Sequence, residues 1–463
     1  MNSTTLILVL IGLTGFGFVV GRRRALAAVR ARGVHRRELH SLPVHYGYLA
    51  AAWAGLPALI PLVLWTALES PVLDRLLVAH FPEAYREMSS EQLGLVLNRL
   101  HLEAENAGKA QRDASARNEP LAYLLWLREA SRWLKTGLVV VVALAGLGWA
   151  GSRITPAYRA RNAVERVVRW VLLAASSVAI LTTVGIVLSV LFESLHFFSK
   201  VPLSDFLFGL QWSPQIAIRA GQVGAEGAFG VVPLFVGTLL IAFIALALAV
   251  PVGLMTAIYL AEYASPGFRA VAKPVLEILA GIPTVVYGFF AALTVAPAVR
   301  AAGEVLGLAV SSESALAAGL VMGIMIVPFV SSLSEDVISA VPRGLREASL
   351  GMGATRSETV RQVLLPAALP GIVAGVLLAA SRAIGETMIV VMAAGLTAKL
   401  TLNPLDAVTT ITVQIVTLLT GDQAFDSAKT LAAFALALLL FITTLLLNVV
   451  ALYVVRRYRE QYD

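Results

Sequence analysis

The chain has 463 residues, of which 58% are hydrophobic and only 14% charged, with a net charge of +7 and no cysteine. Charge this sparse, set among apolar runs of about 20 residues, excludes an ordinary soluble globular chain and indicates an all-α polytopic membrane protein. The lack of cysteine excludes a disulfide framework, a thiolate metal site and a cysteine nucleophile. The arginines cluster beside apolar spans, the pattern of cytoplasmic membrane loops rather than of nucleic-acid binding.

Residues 4–21 are apolar and are followed by Arg22, Arg23 and Arg24. A secretory signal has its positive charge first, so this order predicts an uncleaved span with its N-terminus outside. Gly17 and Gly21 give one GxxxG spacing, a helix-packing signal. Residues 46–68 form a second predicted span. The polar stretch 69–135 predicts a small helical module outside the membrane. Within it, Ser89-Ser-Glu-Gln92 fits a capping box, Leu93, Val96, Leu97 and Leu100 share one helical face, and Gly108 is a natural stop. A short third span is predicted at 136–152. The arginine-rich run 153–169 then reads as cytoplasmic. It separates an N-terminal accessory region, 1–160, from a main domain, 161–463.

In the main domain, residues 170–192 form a clean span, and 201–229, with Pro202, Trp212 and Pro214, predict an ordered external loop. Residues 228–261 carry no charge and are too long for one upright helix, so Pro233 and Pro251 are expected to break the run. Arg269 and Lys273 place the next turn inside, and Glu277, four residues on, reads as a surface partner of Lys273 or, in the alternative, as a residue near the inner gate. Spans follow at 274–299, 314–334 and 369–394, then an external loop to Lys429 and a last span to 455. Arg456, Arg457 and Arg459 leave the C-terminus inside. The count is nine spans, three plus six. Glu335 and Asp336 sit at a membrane exit and read as solvated. The histidines show no metal-ligand spacing, so no metal site is expected.

Residues 340–366 are a charged stretch in an apolar chain. Pro342 suits a helix start, Gly351 and Gly353 suit a helix end, and Thr355-Arg-Ser-Glu358 fits a second capping box, with Pro366 expected to close the second helix. The residues themselves leave two readings open, a rigid lever or an ordinary interhelical loop. Glu347-Ala348-Ser349, then Gly353, then Leu365-Pro366, resembles the EAA loop of permease subunits of binding-protein-dependent ABC importers. Ser349 stands where that pattern has its second alanine, and Val363 where it has isoleucine. The resemblance implies a six-helix type I permease core and a coupling loop at 335–366. In that loop Arg346, Glu347, Ala348, Gly353, Leu365 and Pro366 would seat on an ATPase. The chain has no Gly-x-x-x-x-Gly-Lys-Ser/Thr phosphate loop, so ATP and Mg²⁺ would belong to a partner subunit, and this chain would be no enzyme.

The next span carries Arg382 and Glu386, about 18 Å and 24 Å from its start at about 1.5 Å per residue. A charge at mid-membrane costs about 2.5–3.5 kcal/mol on insertion scales. Four residues apart in a helix, the two would share a face and pair, with Gly371, Gly375 and Ala379 extending that face as a small-residue stripe. A purely structural buried pair and an oxyanion-binding arginine both fit these residues. Arg382-Ala-Ile-Gly-Glu-Thr-Met388 resembles the signature of phosphate-specific permeases, as do Gly281-Ile-Pro-Thr-Val-Val-Tyr-Gly288 and Tyr259-Leu-Ala-Glu-Tyr263. The likeness is to the PstC-type subunit and covers about residues 163–457, with residues 1–160 as an extension whose role does not carry over.

This resemblance implies an importer of inorganic phosphate in a bacterial inner membrane, with Arg382, Glu386 and Thr387 on the substrate path. The partners it implies are a second, PstA-like permease, an ATPase dimer, a periplasmic phosphate-binding protein and membrane lipid. The alternatives are a permease for sulfate, molybdate or a phosphonate, or a transporter-derived phosphate sensor.

Overall fold

A computed structural model of the protein describes residues 3–31, 39–80, 90–106, 119–214, 227–420 and 427–458. Among the described residues, nine helices are long and apolar enough to cross a membrane, at the nine places the hydropathy predicts. The chain divides into two compact units, 1–181 and 182–463.

The first unit contains α1 (Ser3–Ala31), α2 (Pro43–His80), α3 (Ser90–Asn106), α4 (Glu119–Arg153) and the start of α5 (Ala160–Lys200). The GxxxG glycines hold α1 against α2. A β-carbon on Gly21 would lie 2.5 Å from the Tyr46 carbonyl oxygen and 2.7 Å from Ala50 Cβ, so only glycine lets these backbones meet. Helix α4 joins them by the same device, with Gly146 against the backbone of Trp53. Both α2 and α4 run well past the expected ends of their spans, and the turns beyond carry the module. There Leu93, Val96, Leu97 and Leu100 of α3 pack on Leu77, Leu121 and Leu124. His101 links the three helices, with Nε2 2.7 Å from Asp74 Oδ1 and Nδ1 2.6 Å from the Arg128 guanidinium. The capping box at Ser89 and the stop at Gly108 lie outside the described residues.

The second unit begins within α5. After α6 (Leu203–Phe208), a two-stranded ribbon pairs β1 (Trp212–Ser213) with β2 (Ala228–Phe229), antiparallel. The long apolar run then folds as α7 (Val232–Ile258). Pro233 sits in its first turn, where no donor is needed, and Pro251 is carried inside the helix rather than breaking it. A π-helical turn, Tyr259–Tyr263, ends the span.

The span expected at 274–299 is two elements. Helix α8 (Pro266–Gly281) is amphipathic, and Ile282 is extended ahead of Pro283, as the residue before a proline prefers. The membrane helix starts only at Thr284, as α9 (Thr284–Phe290), a π turn and α10 (Ala296–Val305). The Tyr287 hydroxyl donates to the Leu279 carbonyl at 2.8 Å and ties the two sides of the break.

Helix α11 (Ala315–Ala340) is the buried centre of the unit, lying along α7. Then come α12 (Arg343–Gly351) and α13 (Arg356–Thr359), followed by a π turn, Val360–Leu364, and α14 (Leu365–Ile384). Pro366 therefore does not close the second coupling helix, as expected from sequence. Pro366 sits in the first turn of α14, directly after the π turn, and the helix continues into the membrane span. Last are α15 (Met388–Ala393), α16 (Ile411–Leu419) and α17 (Ala428–Tyr458). The stretch expected to be a simple external loop after residue 394 contains α16, whose Ile411, Val413, Gln414 and Leu418 are buried. Gln414 accepts from Trp212 Nε1 at 3.0 Å and donates to the Leu396 carbonyl at 3.2 Å, which fixes the ribbon over this helix.

Candidate functional site

The helix carrying Arg382 does not run on to Glu386. Ile384 is its last residue, and Gly385–Thr387 is a break inside a segment expected to be continuous. Irregular backbone at membrane depth is tolerated where it is buried in protein or lines a cavity, and broken helices are a recurrent way to build an ion site. The break moves Glu386 off the face of Arg382, so the expected i, i+4 ion pair is absent among the described residues. Glu386 instead turns to the start of α15. Its Oε1 accepts from the amides of Met388 at 3.1 Å and Ile389 at 3.5 Å, satisfying donors that a helix start leaves open. Its backbone carbonyl accepts from Thr412 Oγ1 at 2.9 Å, so α16 braces the break. Thr387, half-buried, donates weakly to the Gly385 carbonyl at 3.4 Å.

Arg382 is left exposed in the last turn of α14, with its guanidinium carbon 5.8 Å from the centre of the Phe329 ring on α11. The small-residue stripe below it packs as expected. A β-carbon on Gly371 would meet Val337 at 2.5 Å, Gly375 faces Leu333, and Ala379 is fully buried. The stripe fixes α14 on α11, and the stacked aromatic ring positions the guanidinium without satisfying its hydrogen-bond donors. Phe329 also lines a cavity of about 210 Å³ with Lys273, Glu277, Ser331, Ser332 and Glu335.

That cavity corrects two expectations. Glu335 is not solvated: it is 1% exposed and is held by Arg269 at 2.5 Å and Lys273 at 3.4 Å. Lys273 pairs with Glu335 and Asp336 across to α11, not with Glu277 on its own helix. Sequence spacing could not show this, because the partners are more than 60 residues apart.

The charged loop is built as a rigid element. Gly353 has φ +90°, a left-handed conformation only glycine adopts cheaply, and the Ala354 amide closes the turn onto the Ser349 carbonyl at 3.2 Å. The expected capping box is present: the Glu358 amide donates to Thr355 Oγ1 at 3.3 Å, and the Thr355 amide to Glu358 Oε2 at 2.8 Å. Ser349 is buried, with its hydroxyl 2.9 Å from that of Thr359, so the departure from alanine is matched by a partner ten residues on. Arg346 turns inward and meets Glu262 of the π turn at 2.6 Å, which ties α12 to the end of α7. Glu347 and Ala348 face outward with Leu350 and Met352, and Leu365 and Pro366 open the spanning helix.

Residues 249–460 match the family described as "Binding-protein-dependent transport system inner membrane component", and residues 6–182 match one described as "Phosphate ATP-binding cassette transporter". The chain is 33% identical to a probable ABC transporter permease protein, YqgH, of Bacillus subtilis, over 52% of this chain and 74% of that one. It is 34% identical to the phosphate transport system permease protein PstC 1 of Mycobacterium bovis, over 57% of this chain and 82% of that one. This chain belongs to the binding-protein-dependent transport permeases. The permease is a multi-pass membrane protein and one subunit of a multi-subunit ABC transporter, not an enzyme in its own right. A second kind of family subunit is also similar: the phosphate transport system permease protein PstA 1 of Mycobacterium tuberculosis is 36% identical over 38% of this permease and 54% of that chain. The first compact unit of the permease coincides with the shorter of the two matched segments.

Proposed function

We propose that the permease forms half of the path by which inorganic phosphate is imported, driven by ATP hydrolysis on a separate subunit. The observation that carries this reading is Arg382, a permanent cation at a helix break, exposed and without a hydrogen-bond partner among the described residues, over the ring of Phe329, which itself lines a cavity. A planar guanidinium suits the oxygens of a tetrahedral oxyanion, repels cations, and keeps its charge at any working pH. The relatives named as phosphate permeases support the choice of cargo over other oxyanions.

Glu386 has a different role from the one its spacing suggests. By capping α15 it holds the break open below Thr387, and so keeps the guanidinium at the end of a helix rather than on the side of one. Glu347 and Ala348 are the outward face on which the ATPase pair, which would hold ATP and Mg²⁺, pushes. Arg346, through Glu262, passes that push to the end of α7, while Gly353, Leu365 and Pro366 give the lever its turn and its join to the span carrying Arg382. The other half of the path is a PstA-like permease, and phosphate arrives from a periplasmic binding protein. The setting is a bacterial inner membrane with the C-terminus and the arginine-rich loops inside and the N-terminus outside.

The test is uptake of labelled phosphate by the complete transporter in vesicles supplied with ATP and the binding protein. ATP-dependent uptake that unlabelled phosphate competes away, and sulfate, molybdate or a phosphonate does not, is the expected result. Competition by one of those anions reassigns the cargo, and ATP-dependent signalling without uptake makes the protein a sensor.

A further inference from the structure

We propose that Arg269, Lys273 and Ser331 form a second, inner oxyanion site next to Phe329, and that the Glu335 carboxylate is its resident ligand when the path is empty. The proposal rests on the phosphate reading above and extends it to the step after Arg382. A carboxylate buried to 1% exposure and bridging two cations, Oε1 to Arg269 at 2.5 Å and Oε2 to Lys273 at 3.4 Å, occupies the place that two oxygens of a tetrahedral anion would take.

The cluster is not a closed structural pair. Glu335 Oε1 lies close to Arg269 but in poor hydrogen-bond alignment, and Ser331 Oγ, one turn earlier on the same face of α11 and 1% exposed, has no partner among the described residues. Both residues line the cavity that begins at Phe329. Buried polar atoms left open in this way are costly unless something fills them during function.

The geometry also supplies a way out. A second cavity of about 500 Å³ shares Lys273 and Glu277 with the first and reaches Arg269. An anion leaving the Phe329 side would meet Ser331 and Lys273 first and Arg269 next. The charges facing the cluster are Arg269 and Lys273 against Glu335, the exposed Glu277, and Asp336, which is 3.5 Å from Lys273 with 65% of its side chain exposed. Carboxylates outnumber cations, so the empty site does not hold a substrate anion. It becomes attractive only when Glu335 releases the two cations, and it closes again when Glu335 returns. Such a site binds briefly, as a path that must both admit and discharge an ion requires.

The experiment uses the complete transporter in vesicles and reads two quantities, ATP-driven uptake and phosphate retained at equilibrium without nucleotide. In Glu335→Gln, retained phosphate per assembled complex is expected to rise about tenfold or more, the order for removing one like charge a few ångströms from an anion. Turnover is expected to fall, and adding Ser331→Ala should take back most of the gain. Unchanged retention per assembled Glu335→Gln complex overturns the inner site, whatever the amount of complex. If that variant does not assemble, Lys273→Gln decides: reduced turnover at unchanged KM supports the site, and unchanged turnover removes it. Absence of uptake by the unmodified complex overturns the phosphate reading and the inner site with it. Normal uptake with unchanged retention removes the inner site alone.

Discussion

The two units of this permease each hold a cluster of charged and polar side chains, and they do so in opposite ways. In the first unit, Lys135 is 3% exposed and donates to Glu69 at 2.8 Å and Ser3 at 3.2 Å. Ser131 donates to the same carboxylate at 2.6 Å and accepts from Trp65 Nε1 at 2.9 Å. The polar atoms are matched, and α1, α2 and α4 are held in register. In the second unit, among the described residues, Arg382 is exposed with no hydrogen-bond partner, Ser331 Oγ is buried and unpartnered, and Glu335 is shared unevenly between two cations. A satisfied network rigidifies a fold, whereas an unsatisfied one is tolerated where an ion, a water or a partner completes it. The contrast supports the proposal that the first cluster serves architecture and the second transport.

Substitutions can break that contrast. The largest effect is expected for Arg382→Ala, which should lower phosphate uptake by about a hundredfold, the order of one lost charge-assisted contact to an oxyanion, while assembly and melting temperature hold. Loss of folding together with uptake would move Arg382 to the architectural side. Lys135→Met should do the reverse: it strands Glu69 and destabilises the first unit by about 2 kcal/mol, below the usual 3–5 for a broken buried pair because Glu69 keeps some exposure. Thermal melting of the purified protein reads this directly. Ser349→Ala restores the family alanine but leaves the buried Thr359 hydroxyl unpaired, so about 1 kcal/mol of local stability should be lost, seen as faster hydrogen exchange in α12 and α13.

The smallest effect concerns Asp406 in the segment before α16. Hydrogen bonds from Lys399 and Thr401 hold its carboxyl below the ordinary aspartate range. A depressed folded value means the stabilisation is present above the unfolded value of about 3.9 and is lost as pH falls through the folded one. Proteolysis of this segment should therefore accelerate on acidification below about pH 4 in the native protein and not in Asp406→Asn.

Much of the architecture was legible because apolar length and flanking arginine are written locally. All nine spans, the GxxxG contact of Gly17 and Gly21, the capping box at Thr355 and the packing stripe on α14 are encoded within a few residues of one another. The site was legible in composition but not in geometry. Arg382 and Glu386 read as a pair only if the helix continues, and Gly385 was the signal that it might stop. Glu262 with Arg346, Glu335 with Arg269 and Lys273, and Trp212 with Gln414 join residues far apart in the chain, where no periodicity can point to the partner. Pro251 and Pro366 misled for a related reason: a proline marks a helix end only by local rule, whereas Pro251 is carried inside α7 and Pro366 sits in the first turn of α14.

Whether the cation at position 382 faces the ion path can be read by chemical labelling, because this chain has no cysteine of its own. An Arg382→Cys permease, assembled into its transporter, should lose uptake and regain part of it when 2-aminoethyl methanethiosulfonate returns a positive charge to that position, with phosphate slowing the modification. A thiol that reacts at the same rate with and without phosphate, and whose restored charge brings back no uptake, would contradict the account.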